Sequence, residues 1–251
     1  MNKDLEGARL TSSWEYQSII GLLNYISGLS RPDIAYATHS AARFLSNTKA
    51  SHDKGVKKII NYLKGTKENG LIMCPRNDKG LECFVNADSA GGWSTNESDN
   101  PASVYSRTEY IIKYKNCPIL WASKLQSEIS LSTTESEYIA LSQAMREIIP
   151  MIEHHEQLDK TLNIESKRPS VKCKVFEDNN GAIELAKAPK IRLRTKHIAL
   201  KCNHFREDVR KVLIEINPVD TLEQVADIFT KSLPFPIFNC LRKKMMGWSK
   251  Q

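Results

Sequence analysis

The sequence predicts an α/β domain preceded by a separate helical segment. Residues 12–64 contain three successive runs with apolar side chains at helical spacing. From residue 70 the apolar period shortens to that of strands, and after residue 133 helical and strand patterns alternate. Strands followed by alternating helices and strands are typical of an α/β domain. We therefore expect a helical segment at residues 1–69 and an α/β domain at residues 70–251.

Three helices are predicted in the first segment. The first is marked by Tyr16, Ile19, Ile20, Leu23 and Ile26. Pro32 stands where it can open the second helix, and residues 56–63 mark the third. The polar face of the third helix carries Lys54, Lys57, Lys58 and Lys64. A solvated surface is the commoner explanation of such a face, and contact with phosphate is the alternative.

The second segment is predicted to alternate between strands and helices. The predicted strands are residues 70–73, 81–85, 110–114, 119–121, 171–176 and 213–218. The predicted helices are residues 133–158, 181–187 and 222–231, with one more within residues 191–212. Residues 92–101 are polar and rich in turn formers, so we expect a loop there.

Composition limits the class of protein. The chain has 251 residues, of which 41% are hydrophobic and 26% charged, as in ordinary globular proteins. The formal net charge of +7 suits a polyanionic partner, although many basic proteins bind no nucleic acid. The six cysteines form no CxxC pair and predict reduced thiols in a cytosolic or nuclear chain. No run approaches the roughly 18 apolar residues of a membrane span, so we expect no membrane partner.

Glu137 is the first candidate site residue. Ser132 and Glu135 have capping-box spacing, which gives Glu135 a structural task. Glu137 lies roughly 160° from Glu135 around the predicted helix, inside an apolar stripe. The stripe consists of Ala140, Leu141, Ala144, Met145, Ile148, Met151 and Ile152. A carboxylate in that stripe is costly unless it is paired or binds a cation, so a buried ion pair is the alternative to a metal site.

Two more acids occupy comparable positions. Asp178 lies in the acidic end into which an apolar strand runs, at the edge of an α/β sheet where ligands usually bind. Asp178 or Asn179 could equally serve as the cap of the next helix. Asp227 lies among apolar residues on a probable helix and indicates nothing by itself.

The motifs taken together are more specific. In order along the chain they are RPDIAYA, HxKxxKxIxxYLKGT, FVNADSAGGW, LSTTESEYIAL, VFEDNNGAIELAK, RTKHI, HFRE and VADIFTKSLP. Over residues 14–248 this order closely resembles the C-terminal part of copia-type retrotransposon polyproteins. The first helices resemble the end of the reverse transcriptase, and the remainder resembles its ribonuclease H domain.

The resemblance implies a ribonuclease H-like mixed sheet flanked by helices, which hydrolyses the RNA strand of an RNA–DNA hybrid. In that family four acidic positions hold two Mg²⁺ ions, for which Mn²⁺ can substitute. Glu137, Asp178 and Asp227 match three of these positions, and Asp88 is a further acid of the first motif. The implied partners are the hybrid and the remainder of the reverse transcriptase. The implied location is a cytoplasmic retrotransposon particle, with the nucleus as the alternative.

Asn86 stands where the family has its first acid. Paired metal ions generate a nucleophilic water and stabilise the leaving oxygen in phosphodiester hydrolysis. A unit charge about 4 Å from a divalent ion contributes up to roughly 8 kcal/mol at an effective dielectric of 20. Losing a third of that reduces the rate about a hundredfold. We therefore expect weak or absent cleavage. Asp88 lies two residues away along the strand, about 6.6 Å, and is a poor substitute.

Basic residues are the expected hybrid contacts, through phosphates and 2′-hydroxyls. The candidates are Lys124, Arg192, Arg194, Lys196 and Lys201, each with a solvated surface role as the alternative. His197 is an accessory candidate for product release. A polymerase is disfavoured because no YxDD motif occurs, and an integrase fits the acid spacing less well. The alternative to a nuclease is an inactive nucleic-acid-binding or assembly module with the same fold.

Overall fold

The apolar periodicity of the sequence is realised as two compact units. The computed structural model describes residues 4, 7–8, 15–89, 103–163, 172–188, 204–211 and 213–248. One unit comprises Met1–Ile72 with Arg242–Gln251, and the other comprises Met73–Leu241. The C-terminal residues therefore group with the helical segment. The predicted domain division at residues 69 and 70 stays a prediction.

The first unit is built from three helices around an apolar core. They are α1 (Tyr16–Leu29), α2 (Ala35–Ala42) and α3 (Ala50–Gly65). Pro32 begins a 3₁₀ turn, Pro32–Ile34, that leads into α2. Ile20, Leu23, Val56 and Ile59 are buried at the shared core because they lie on the apolar faces of α1 and α3. The three predicted helices are confirmed over the described residues.

The second unit contains a five-stranded mixed sheet in the order β3-β2-β1-β4-β5. The strands are β1 (Leu81–Asp88), β2 (Arg107–Tyr114), β3 (Cys117–Leu125), β4 (Cys173–Glu177) and β5 (Ile214–Pro218). Strands β1, β2 and β3 pair antiparallel, whereas β4 pairs parallel with both β1 and β5. The carboxyl ends of β1 and β4 therefore meet at one edge of the sheet.

Helices flank this sheet. They are α4 (Thr133–Thr161), α5 (Asn180–Lys187) and α6 (Arg206–Arg210). A further helix, α7 (Phe235–Met246), follows in the chain, and its residues from Arg242 onward group with the first unit. The apolar stripe of α4 packs on β1 and β2, with Leu141, Met145 and Ile148 fully buried. The predicted fold class is confirmed: a mixed sheet flanked by helices follows a small helical segment.

Two predicted elements are wrong. Residues 70–73 form no strand; Ile72 donates one backbone hydrogen bond to Met246 O, and no ladder develops over these residues. Residues 222–231 form two 3₁₀ helices, Thr221–Glu223 and Val225–Phe229, instead of an α-helix. Gln224 between them is extended, because its side chain donates to Val85 O at 2.8 Å. Most of the helix predicted within residues 191–212 lies outside the described residues.

Candidate metal centre

Glu137 is held at the start of α4 by the capping that the sequence predicts. The Ser132 hydroxyl accepts from the Glu135 amide at 3.2 Å, and the Glu135 carboxylate accepts from the Leu131 amide at 2.9 Å. Glu135 is therefore used in capping, one residue earlier than a standard capping box requires. Glu137 faces inward with the apolar stripe and is only 7% exposed.

Strand β4 contributes two adjacent acids. Asn179 caps α5, since its side chain accepts from the Ala182 amide at 3.0 Å, and Asp178 is thereby free of the capping role. The Glu177 carboxylate accepts from the Asn179 amide at 3.1 Å, and Thr221 donates to Asp178 at 3.3 Å. One oxygen from each of Glu137, Glu177 and Asp178 lies within 4.8 Å of the others.

Asn86 and Asp227 form the other side of the site. Gln224 anchors the Val225–Phe229 turn to β1, which brings Asp227 to Asn86. The Asn86 amide nitrogen donates to Asp227 Oδ1 at 2.6 Å, and Lys231 Nζ lies 3.0 Å from Asp227 Oδ2. Both oxygens of Asp227 are therefore bound to donors of the protein itself.

Burial raises the pKa values of the acids Glu137 and Glu177. Burial, and next the charges of Glu177 and Asp178, raise the pKa of Glu137 to about 10. Burial also raises the pKa of Glu177 well above its ordinary value. Among the described residues, Glu137 Oε2 and Glu177 Oε2 are buried without a hydrogen-bond partner. Such orphaned oxygens are costly unless a cation neutralises them.

The donor set fits a hard divalent cation. Magnesium takes oxygen ligands and uses few carboxylates at a time. Glu137, Glu177 and Asp178 supply carboxylate oxygens only, two of them unpaired and buried. Within the part of the chain that the structure describes, these residues could hold a metal ion without displacing any other partner of those two oxygens.

Two acids near this site were missed at the level of sequence. Glu177 adjoins Asp178, and the acidic end of β4 was assigned to Asp178 alone. Glu109 lies on β2 directly opposite Asn86 and is fully buried. Burial raises its pKa well above the ordinary value. The predicted strand began at residue 110, so Glu109 fell outside it; an acid at the head of an apolar strand was the available signal.

The structure describes only two of the remaining candidate site residues, Asp88 and Lys124. Asp88 ends β1, is partly exposed and stands opposite Arg107. Lys124 is exposed on β3, opposite Thr108. Arg192, Arg194, Lys196, His197 and Lys201 lie outside the described residues.

Sequence relatives identify the family. No family model matches this chain. It is 35% identical over 233 residues to a retrovirus-related Pol polyprotein from transposon TNT 1-94 of Nicotiana tabacum, covering 92% of this chain and 16% of the polyprotein. It is 31% identical over 239 residues to the corresponding polyprotein of transposon RE1 of Arabidopsis thaliana, covering 95% of this chain and 15% of that one.

Fold and site define an α/β chain with a carboxylate cluster at the end of β4 and the start of α4, two of whose three acids are buried. The chain belongs to the copia-type retrotransposon Pol polyproteins, as its sequence predicts, and it spans about one sixth of the length of these relatives.

Solved ribonuclease H structures are also similar to this chain. LC11-RNase H1 in complex with an RNA/DNA hybrid has a TM-score of 0.37 at 12% identity, over 59% of this chain and 91% of that one. RNase H1 from Halobacterium salinarum has a TM-score of 0.35 at 10% identity, with the same coverage. Similarity at this level supports no inference about chemistry. Across the described residues, no helix is long and apolar enough to span a membrane.

Proposed function

We propose that the second unit is a divalent-metal-dependent ribonuclease H that hydrolyses the RNA strand of RNA–DNA hybrids during reverse transcription. The observation that supports it is the group of Glu137, Glu177 and Asp178, whose oxygens lie within 4.8 Å of one another at the sheet edge. Placing three acids together, with Glu137 and Glu177 buried, is costly in a protein that binds no cation there. The relatives' description as retrovirus-related Pol polyproteins agrees with this activity.

Glu137, Asp178 and Asp227 are the proposed metal ligands, with Glu177 added to the predicted set and Asp88 at the exposed rim. Two Mg²⁺ ions, or Mn²⁺ in their place, would supply an activated water and stabilise the departing oxygen. The residues of the chain fix the ligands: Ser132 sets the start of α4, and Asn179 leaves Asp178 free by capping α5. Lys231 neutralises Asp227 and must release it when a metal takes that oxygen.

Asn86 is the residue that we propose weakens the metal site. Its amide nitrogen points at Asp227 Oδ1, so the side chain donates a hydrogen bond where a carboxylate would offer charge to a metal. We therefore propose that cleavage is slow in this chain as it stands.

The same contacts favour a second candidate function, a binding or assembly module without hydrolysis. Asn86 and Lys231 together engage both oxygens of Asp227, which leaves that ligand satisfied without metal. Metal titration separates the two functions, because an intact site binds two ions and a defective site binds fewer.

The proposed partners are the hybrid and the remainder of the reverse transcriptase, in a cytoplasmic particle or the nucleus. Lys124, together with Arg192, Arg194, Lys196 and Lys201, is proposed to contact phosphates, and His197 to assist product release. Such binding weakens as salt increases and depends little on sequence.

The test is cleavage of a labelled RNA–DNA hybrid in Mg²⁺ by the whole chain, by Glu137→Gln and by Glu153→Gln. Glu153 is exposed on the same helix and serves as the matched control. We expect Mg²⁺-dependent cleavage by the chain and by the control, and loss of cleavage by about a hundredfold or more in Glu137→Gln. Metal-independent cleavage, or equal rates in all three, would contradict the proposal.

A further inference from the structure

Glu109 is a buried acid that the proposed ligand set does not use. In the antiparallel pair of β1 and β2 it stands directly opposite Asn86. Side chains in such a pair project from the same face of the sheet, with Cβ atoms about 4.5–5.5 Å apart. The side chain of Glu109 is therefore adjacent to the position where the first acid is missing.

The carboxylate of Glu109 is buried and lacks a hydrogen bond from any described residue. The side chain is fully buried, and neither oxygen has a hydrogen-bond partner among the described residues. Arg107 forms an ion pair with it, in which Nε lies 3.9 Å from Oε1, at the outer limit of such a contact. Arg107 also donates to the backbone and hydroxyl oxygens of Ser123. Arg107 is therefore an ion-pair partner of Glu109 that makes no hydrogen bond to its carboxylate.

Glu109 belongs to the same electrostatic group as the candidate ligands. The charge of Arg107 favours the ionised form of Glu109, and the charges of Asp88, Glu137 and Asp227 disfavour it. A fully buried acid gains nothing from three acidic neighbours unless a cation joins the group. The chain has an amide at Asn86 and a carboxyl group directly opposite it on the adjacent strand.

We propose that Glu109 supplies the carboxylate that Asn86 lacks and serves as an additional ligand for the divalent metal. The inference rests on the proposed metal-dependent function and names a residue that holds the ion. The carboxylate of Glu109 lies on β2, so it can add a ligand for the metal. It does not replace the carboxylate oxygen that residue 86 on β1 lacks. Metal affinity therefore depends on Glu109, whereas the rate of cleavage still depends on Asn86.

The experiment is a calorimetric titration of the whole chain with Mn²⁺ alone, without nucleic acid. The variants are Glu109→Gln, Asn86→Asp and the double variant. Glu82→Gln is the matched control, because Glu82 is a buried acid on the same sheet that pairs with Lys79 at 2.9 Å. We expect Glu109→Gln to weaken Mn²⁺ binding by about tenfold or more, at least the loss that supporting residues of metal sites cause. Glu82→Gln should bind as the unchanged chain does.

The double variant tests whether a carboxylate at residue 86 can take the role of the carboxylate of Glu109. With a carboxylate restored at position 86, the Glu109→Gln change should reduce affinity by less than about threefold, because neighbouring groups that share one role are not additive. An equal loss from Glu109→Gln in both backgrounds, or no loss in either, would overturn the proposal.

Thermal unfolding in EDTA separates a ligand from a counterion of Arg107. A ligand predicts that Glu109→Gln unfolds at the same or a higher temperature in EDTA and gains less from added Mn²⁺. A counterion predicts a lower unfolding temperature in EDTA and an unchanged gain from Mn²⁺, and that result would overturn the proposal.

The outcomes also separate this inference from the proposed function. Mn²⁺ binding that is lost in Glu137→Gln but kept in Glu109→Gln contradicts the role of Glu109 alone. Mn²⁺ binding that depends on Glu109 in a chain that cleaves no hybrid supports the inference and contradicts the proposed hydrolysis.

Discussion

Asp33 in the first unit and Glu137 in the second are both buried acids, but their carboxylates differ in the partners that surround them. Both oxygens of Asp33 accept from Arg31, at 2.9 and 2.8 Å, and one also accepts from the Tyr62 hydroxyl. Glu137 has a buried oxygen without a partner among the described residues and two acidic neighbours. Asp33 has a cation from its own unit, whereas no described residue forms an ion pair with Glu137.

The difference indicates which acids serve the fold and which serve a ligand. Removing one partner of a buried ion pair leaves an uncompensated charge, so Arg31 and Asp33 stabilise the fold only together. An acid that is buried without a partner lowers stability unless a cation from outside binds to it. We therefore expect metal to affect the second site and to leave the first unaffected.

The largest expected effect is on the stability of the first unit. Asp33→Asn should lower the free energy of unfolding by about 3–5 kcal/mol, because Arg31 stays buried without its counterion. The matched control is Asp78→Asn, which removes an exposed partner of Arg76 at the same sequence spacing. Urea unfolding in EDTA, followed by circular dichroism, should show a large shift of the midpoint only for Asp33→Asn. Equal shifts in both variants, or a shift that Mn²⁺ reverses, would remove the distinction between the two sites.

The next effect is on cleavage. Asn86→Asp should raise the Mg²⁺-dependent rate on an RNA–DNA hybrid by about a hundredfold, because a unit charge close to a divalent ion is worth several kcal/mol. Single-turnover rates of the chain and the variant give the comparison. Equal, strong cleavage by both would show that Asn86 is no impediment.

A smaller effect is expected from pH in the absence of metal. The pKa of Glu137 is raised to about 10 by burial and by Glu177 and Asp178, so the folded chain holds a proton that the unfolded chain releases above its ordinary pKa. Stability in EDTA should thus be greatest below about pH 4.5 as far as this group is concerned, and should fall as pH rises toward 10. The measurement is the urea midpoint of unfolding across this pH range. In the Glu137→Gln variant the midpoint should fall less as the pH rises. If stability falls with pH in the variant as it does in the unchanged chain, groups other than Glu137 cause the fall.

Salt should have the mildest effect. Binding of an uncleaved hybrid should weaken with increasing salt, and Lys124→Ala should reduce the slope of log affinity against log salt by about one unit if Lys124 contacts a phosphate. Fluorescence anisotropy at several salt concentrations measures the slope. An unchanged slope would leave Lys124 as a solvated surface residue.

The sequence predicts the parts of the site that depend on local periodicity. Helical spacing selects Glu137 over Glu135, and the structure has Glu135 in the cap and Glu137 buried. Asn179 resolves the predicted ambiguity of capping, because it caps α5 and leaves Asp178 at the strand end. Both features are set by residues within a few positions of each other.

The parts that were not predicted depend on long-range contacts. Asp227 reaches Asn86 because Gln224 bonds to Val85, a residue 139 positions away. Glu109 opposes Asn86 through a strand register that no local pattern specifies. A resemblance to a family finds the residues that match its motifs, and a substitution on a neighbouring strand lies outside those motifs.

Titration of the metal-free chain with Mn²⁺, compared with Glu137→Gln, tests most directly whether the unpaired acids of the second unit are a metal site. We expect the chain to bind Mn²⁺, binding to raise its unfolding temperature, and both effects to be lost in Glu137→Gln. A chain that binds no Mn²⁺, or a Glu137→Gln variant that binds it as tightly, would show that these acids are not a metal site.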